Sequence, residues 1–210
     1  MGPAELDVTL RVLGVSERVR AAMLTLPRAE FVPGHLRSEA WQDRPLPIGH
    51  GQTISQPSLV ALITDLLDVG PGDRVLDVGT GSGYQAALLA ALGADVHSVE
   101  RIGPLAHQAS LTLARLGLRV DVRHSDGSVG LPELAPFDAI VVGAAAPRIP
   151  QPLVAQLVEP AGDRRGGRLI LPIQVRGADA QQLVLVERRP DGVVRRELMA
   201  VLFVPLIAGD

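Results

Sequence analysis

The chain has no cysteine, no lysine and no asparagine, and only 2% of its 210 residues are aromatic. Without cysteine it can build neither a disulfide framework nor a thiolate metal site. All 20 basic residues are arginine. Lysine and asparagine both have A-rich codons, so a GC-rich genome explains their absence; a thermophilic lifestyle is a second explanation, because asparagine is thermolabile. Long apolar runs are also missing. Ala86–Leu92 and Leu198–Val204 fall far short of the roughly 20 residues that cross a bilayer. Met1–Glu5 lacks the charged and apolar regions of a secretory signal. A cytoplasmic protein with no membrane partner is therefore expected. The formal net charge is −3, and adjacent basic pairs occur only at Arg164-Arg165, Arg188-Arg189 and Arg195-Arg196. That pattern gives no basic stripe, so no nucleic-acid partner is expected. The five histidines are dispersed, and no metal-ligand spacing appears.

What is present is 47% hydrophobic, enough for one domain with a real core. Leu6, Leu10 and Leu13 have helical spacing over residues 4–13. Ser16 is a suitable N-cap for a second helix that Pro27 ends. Residues 27–50 read as an ordered, proline-rich loop with short turns. A third helix starts at Pro57 and runs to Gly70-Pro71-Gly72. Strands and helices then alternate. Strands are expected at Arg74–Val78, Asp95–Glu100, Arg119–Arg123, Phe137–Gly143 and Arg168–Ile173. Helices are expected at Tyr84–Leu92, Pro104–Leu116 and Pro152–Leu157. Such alternation predicts an α/β fold with a doubly wound, mostly parallel, Rossmann-like sheet. Gln182–Arg189 and Val193–Val204, separated by Pro190-Asp191-Gly192, predict an antiparallel pair at the C-terminal end. The expectation is one domain, 1–210, and a monomer. Residues 1–50 would form an N-terminal helical extension covering the site, and 51–210 the sheet core.

The turn after the first core strand reads Asp77-Val78-Gly79-Thr80-Gly81-Ser82-Gly83. Glycines there let a ligand approach the backbone at a helix N-terminus. The spacing is G-x-G-x-G, not the dinucleotide G-x-G-x-x-G. Glu100 ends the next strand, where a carboxylate can take both ribose hydroxyls of an adenosine, and Asp126-Gly127 follows the strand after that. Upstream lies a hydroxyl-rich loop, Gly49-His50-Gly51-Gln52-Thr53-Ile54-Ser55-Gln56-Pro57. From residue type alone, Ser55 can be a nucleophile, a cap for the helix starting at Pro57, or a ligand contact.

Asp77, the three glycines and Glu100 together resemble the class I S-adenosylmethionine methyltransferases. Narrower pieces resemble the protein-L-isoaspartate O-methyltransferase family: Pro27–Pro33, Asp43–Gly49, Gly51–Pro57, Phe137–Ile140, Val142–Pro147, Gly166–Pro172 and Phe203–Leu206. The resemblance implies methyl transfer from S-adenosyl-L-methionine to the free α-carboxylate of L-isoaspartyl residues in damaged proteins and peptides. It implies Ser55 as the catalytic and substrate-binding residue, with Val204, Pro205 and Leu206 beside the substrate. Gln52, Thr53, Ile54, Asp77, Gly79, Thr80, Gly81, Ser82, Gly83, Glu100, Asp126 and Gly127 would hold the cofactor. Ala161–Arg165 departs from the family pattern as a longer surface loop. The competing readings are a methyltransferase for a small-molecule acceptor and a silent binding module that keeps only the fold.

Overall fold

The computed structural model describes residues 2–209. The chain begins with α1 (Pro3–Val12) and α2 (Glu17–Thr25). Ser16 caps α2, its side chain accepting from the Val19 N–H. Leu6, Leu10, Val19 and Met23 are fully buried and turn both helices onto the third, α3 (Pro57–Leu67). Pro57 opens α3 where a missing N–H costs nothing. The helix ends earlier than the Gly70-Pro71-Gly72 stop: Asp68 adopts a left-handed conformation (φ 52°), which short polar side chains tolerate.

Between α2 and α3 lie two 3₁₀ turns, Arg28–Phe31 and Gly34–Glu39, and then a small hairpin of β1 (Leu46–Gly49) and β2 (Gln52–Ile54). The hairpin corrects the expectation of a loop throughout 27–50. Its strands are too short for alternation to register. Its turn runs through Gly49, His50 and Gly51, all at positive φ, a path glycine takes without strain.

The remaining strands are β3 (Arg74–Val78), β4 (Asp95–Glu100), β5 (Val120–His124), β6 (Ala139–Val142), β7 (Arg168–Gln174), β8 (Gln181–Arg189) and β9 (Gly192–Val201). They form one sheet in the order β5-β4-β3-β6-β7-β8-β9. Pairing is parallel from β5 through β7 and antiparallel for β7–β8 and β8–β9. The helices α4 (Tyr84–Ala91), α5 (Gly103–Arg115) and α6 (Gln151–Ala155) connect the parallel strands. Side chains alternate between two apolar clusters, one on each face. Val75, Ala139, Val141 and Ile170 join the face carrying α1–α4. Leu76, Ile140, Val142 and Leu171 join the face carrying α6.

Two strand bounds are shorter than expected. The β3–β6 ladder starts at Val75–Ala139, while Phe137 forms an isolated bridge to Leu157. At the other end β9 stops at Val201, because the chain then leaves β8. The Gln181 side-chain amide takes over the pairing, accepting from the Phe203 N–H (2.6 Å) and donating to the Phe203 carbonyl (2.9 Å). The tail then crosses to the tip of β6. There the Ala145 N–H donates to the Val204 carbonyl, and the Leu206 N–H donates to the Ala145 carbonyl, each at 2.8 Å.

Candidate functional site

Strand order reverses between β3 and β6, since β4 and β5 lie to one side of β3 and β6 to the other. Open parallel sheets bind ligands above such a reversal. The backbones at the two strand tips come close: a Cβ added at Gly143 would lie 3.1 Å from the Gly79 carbonyl oxygen. A side chain at Gly143 would have to push the Gly79 carbonyl back by a few tenths of an ångström. Above the tips runs a crease of three adjoining hollows, and Thr53 and Gly143 border all three.

The first hollow is lined by Thr53, Ile54, Ser55, Asp77, Gly79, Thr80, Gly81, Ser82 and Tyr84. Asp77 is fully buried and accepts a hydrogen bond from Ser98 Oγ (2.7 Å), which lies 2.6 Å from Thr80 Oγ1. The aspartate thus holds the glycine turn through two hydroxyls. Burial pushes its carboxyl up to about 7; the Ser98 hydrogen bond opposes this and the nearby Glu100 charge adds to it. The turn is preorganised, because the Gly79 and Thr80 N–H groups donate to the Val99 carbonyl.

The second hollow is lined by Gln52, Glu100, Ile102, Gly127 and the tail residues Val204, Pro205 and Leu206. Glu100 is buried, and its two oxygens accept the Gly81 and Ile102 N–H groups, each at 2.9 Å. Each oxygen keeps a free lone pair. A Cβ at Gly127 would fall 2.6 Å from Val78 Cγ1 and 2.8 Å from Val99 Cγ2, so only glycine leaves this floor undisturbed.

The third hollow lies between Pro45, Ser55, Gln56, Leu59, Leu202, Phe203 and Val204. Ser55 spans the first and third. Its carbonyl accepts from Arg28, while its hydroxyl has no hydrogen-bond partner among the described residues. The capping alternative for this serine is not realised. The α3 N-cap is Gln56, without a side-chain cap bond; Asp43 Oδ1 instead accepts the Ser58 N–H at 2.9 Å.

Two expected site residues fall outside the crease lining. Gly83 (φ 88°) packs α4 on α5, where an added Cβ would lie 3.3 Å from both Ala109 and Leu113. Asp126 is turned to the C-terminal tail, accepting from the Gly209 N–H and from the Ser128 N–H and hydroxyl. Partial burial raises its carboxyl, and those hydrogen bonds outweigh it, leaving the group below the usual carboxylate range. Conversely, the sequence reading missed several lining residues, among them Pro45, Leu59, Tyr84, Ile102, Gly143 and Leu202. Pro45 and Gly143 carried a signal, lying within the Asp43–Gly49 and Val142–Pro147 pieces of the family resemblance. A larger cavity, about 1060 Å³ beside Arg148, Arg176 and Arg195, shares only Leu206 with the crease. Size therefore does not pick out the chemistry here. No group of three or more metal-ligating side chains occurs among the described residues.

Comparison with known proteins agrees with this geometry. The family model for protein-L-isoaspartate(D-aspartate) O-methyltransferase matches residues 5–210. A protein-L-isoaspartate O-methyltransferase of Polaromonas sp. is 53% identical over 196 residues, covering 91% of this chain and 89% of that protein. One from Gloeobacter violaceus is 50% identical over 202 residues, 95% of each chain. A solved protein-L-isoaspartate O-methyltransferase superposes with a TM-score of 0.86 at 30% identity. It covers all of this chain, which spans 66% of that protein's length. A Plasmodium falciparum structure described as a protein-L-isoaspartate O-methyltransferase in complex with S-adenosyl-L-homocysteine has a TM-score of 0.82 at 29% identity, over 97% of each chain.

Proposed function

We propose, from the premise that the chain belongs to the protein-L-isoaspartate(D-aspartate) O-methyltransferase family, that the crease above β3 and β6 is its active site. The enzyme transfers a methyl group from S-adenosyl-L-methionine to the free α-carboxylate of L-isoaspartyl residues in damaged proteins and peptides. The ester then closes to a succinimide, whose hydrolysis leads back toward L-aspartate.

The crease suits that cofactor. Asp77 is a buried carboxylate with no cation paired to it among the described residues, and it borders the first hollow. A cationic methionine end would restore its charge. We assign Gln52, Thr53, Ile54, Gly79, Thr80, Gly81 and Ser82 to the methionine end, with Gly79 and Gly143 admitting it between the strand tips. The free lone pairs of Glu100 suit the ribose hydroxyls, and the glycine floor at Gly127 suits the flat base. Gly83 and Asp126 act indirectly, Gly83 by seating α4 and Asp126 by fixing the turn that carries Gly127.

Bound S-adenosyl-L-methionine supplies an electrophilic methyl group on a cationic sulfur. With a pKa of roughly 3.5, the substrate α-carboxylate is already an anion at neutral pH and needs no general base. One carboxylate oxygen forms the new C–O bond as the C–S bond breaks, and opposite charges are neutralised. The protein's part is alignment and exclusion of water. The Ser55 hydroxyl donates to the carboxylate from the border of the first and third hollows. The Val204 N–H and Pro205 carbonyl have no partner among the described residues and can pair with an extended peptide.

The observation that carries this reading is the unpartnered Ser55 hydroxyl, which the adjacent helix does not use as a cap. The reading includes a cytoplasmic monomer: the fold uses no disulfide, and a monomer leaves the tail edge open to a polypeptide. Sedimentation checks that state. The main test is transfer of labelled methyl to two synthetic peptides differing only in L-isoaspartate or L-aspartate, with Ser55→Ala beside the wild type. Base-labile label on the isoaspartyl peptide alone, reduced on the order of 100-fold in Ser55→Ala, is expected for a lost positioning contact. Label on neither peptide with cofactor still bound would move the acceptor to a small molecule.

A further inference from the structure

We propose that Arg28 is a positioning residue for Ser55, holding the serine in line from beneath the site. This rests on the reading of Ser55 given above. Arg28 is fully buried and lies in the first 3₁₀ turn, 27 residues before the serine. Its Nη2 donates to the Ser55 carbonyl at 2.5 Å, and its Nε donates to the Ala40 carbonyl at 2.7 Å. The guanidinium lies over the Tyr84 ring, 4.3 Å from the centroid, and Tyr84 packs edge-on against Phe31.

Burying a cation is expensive, and a packed apolar side chain usually serves stability as well or better. Here Nη1 makes no hydrogen bond of full geometry, and the Tyr84 side chain and the Asp43 charge support the buried cation against the cost of its burial. What the guanidinium supplies is direction. Ser55 belongs to the two-residue link between β2 and α3. Arg28 grips the carbonyl at one end of the link, and Asp43 grips the Ser58 N–H just beyond the other. Both gripping residues come from the segment before β1. The link is thus clasped by a cation and a carboxylate, and the Ser55 hydroxyl needs no bond of its own to stay in place.

The test is a double-mutant cycle on the full-length enzyme. Arg28→Met, which keeps the stem and removes the donors, is made in wild-type and Ser55→Ala backgrounds. Steady-state methylation of an isoaspartyl peptide and calorimetric binding of S-adenosyl-L-methionine are read for each. In the wild-type background kcat should fall on the order of 100-fold, with cofactor affinity within about twofold. In the Ser55→Ala background the same change should cost less than about threefold, because the two residues act through one contact. Arg28→Lys, which keeps a donor, should recover part of the rate; it replaces Arg28→Met in the cycle if that variant does not fold. Equal losses in both backgrounds, or a loss that follows cofactor affinity, would overturn the proposal. An active Ser55→Ala single variant would instead overturn the role of the serine itself.

Discussion

The buried carboxyl of Asp77 makes stability depend on pH in an unusual direction. Its folded-state value is pushed from 3.8 up to about 7, first by burial and then by the Glu100 charge, against the pull of the Ser98 hydrogen bond. A group raised in this way holds its proton more tightly folded than unfolded. Its stabilising contribution is fully present below about pH 4 and is lost as the pH rises through about 7. Integrated between about pH 5 and pH 8, that loss is on the order of 2–3 kcal/mol. Asp77→Asn keeps an oxygen to accept from Ser98 but cannot ionise. The difference in unfolding free energy, variant minus wild type, should therefore grow by about 2–3 kcal/mol over that interval. Urea titrations of the cofactor-free proteins at half-unit steps of pH measure it. A flat difference, or one that shrinks as the pH rises, would refute the assignment of a strained carboxylate to this position.

The same carboxylate should make cofactor affinity pH-dependent. Binding of S-adenosyl-L-methionine should strengthen several-fold, roughly, from pH 6 to pH 8 in the wild type as the crease gains its negative charge, with a flat calorimetric profile in Asp77→Asn. Gly127→Ala forces a methyl to within 3 Å of Val78 and Val99 side-chain atoms. It should cost about 1–3 kcal/mol in denaturation, and it should weaken cofactor binding because the floor of the second hollow rises. Tyr84→Phe removes a buried hydroxyl that makes no hydrogen bond of full geometry and has the Arg28 guanidinium as its polar neighbour. Its unfolding free energy should therefore change by no more than about 1 kcal/mol; a larger loss would mean that the Arg28 contact is a full hydrogen bond.

Much of the core was legible in the sequence, because its signals are local. Short buried apolar runs mark β3 and β6, proline marks the first turn of α3, and the Pro190-Asp191 turn, followed by Gly192, joins β8 to β9. Glu100 is readable for the same reason: it ends a strand beside a glycine turn. The weaker predictions failed where partners are distant. The hairpin of β1 and β2 was invisible because strands of four and three residues are too short for a period. The end of β9 was placed too late because Gln181, 22 residues away, substitutes its amide for a strand at Phe203. Gly83 and Asp126 sit in the right motif, yet their neighbours α5 and the tail decide what they touch.

The sequence by itself determined the order of the elements from α3 to β9, the G-x-G-x-G turn, the acidic residue on the next strand and the family. Each depends on chemistry within a few residues along the chain: side-chain period, turn conformation and the steric freedom of glycine. Only the tertiary structure decided which of these groups share a crease. It took the helix cap away from Ser55 and gave it to Asp43. It brought Arg28 under the serine and the 202–206 tail over Gly143. Those pairings are fixed by packing two apolar faces on one twisted sheet, and no local pattern encodes which carbonyl a buried guanidinium will meet.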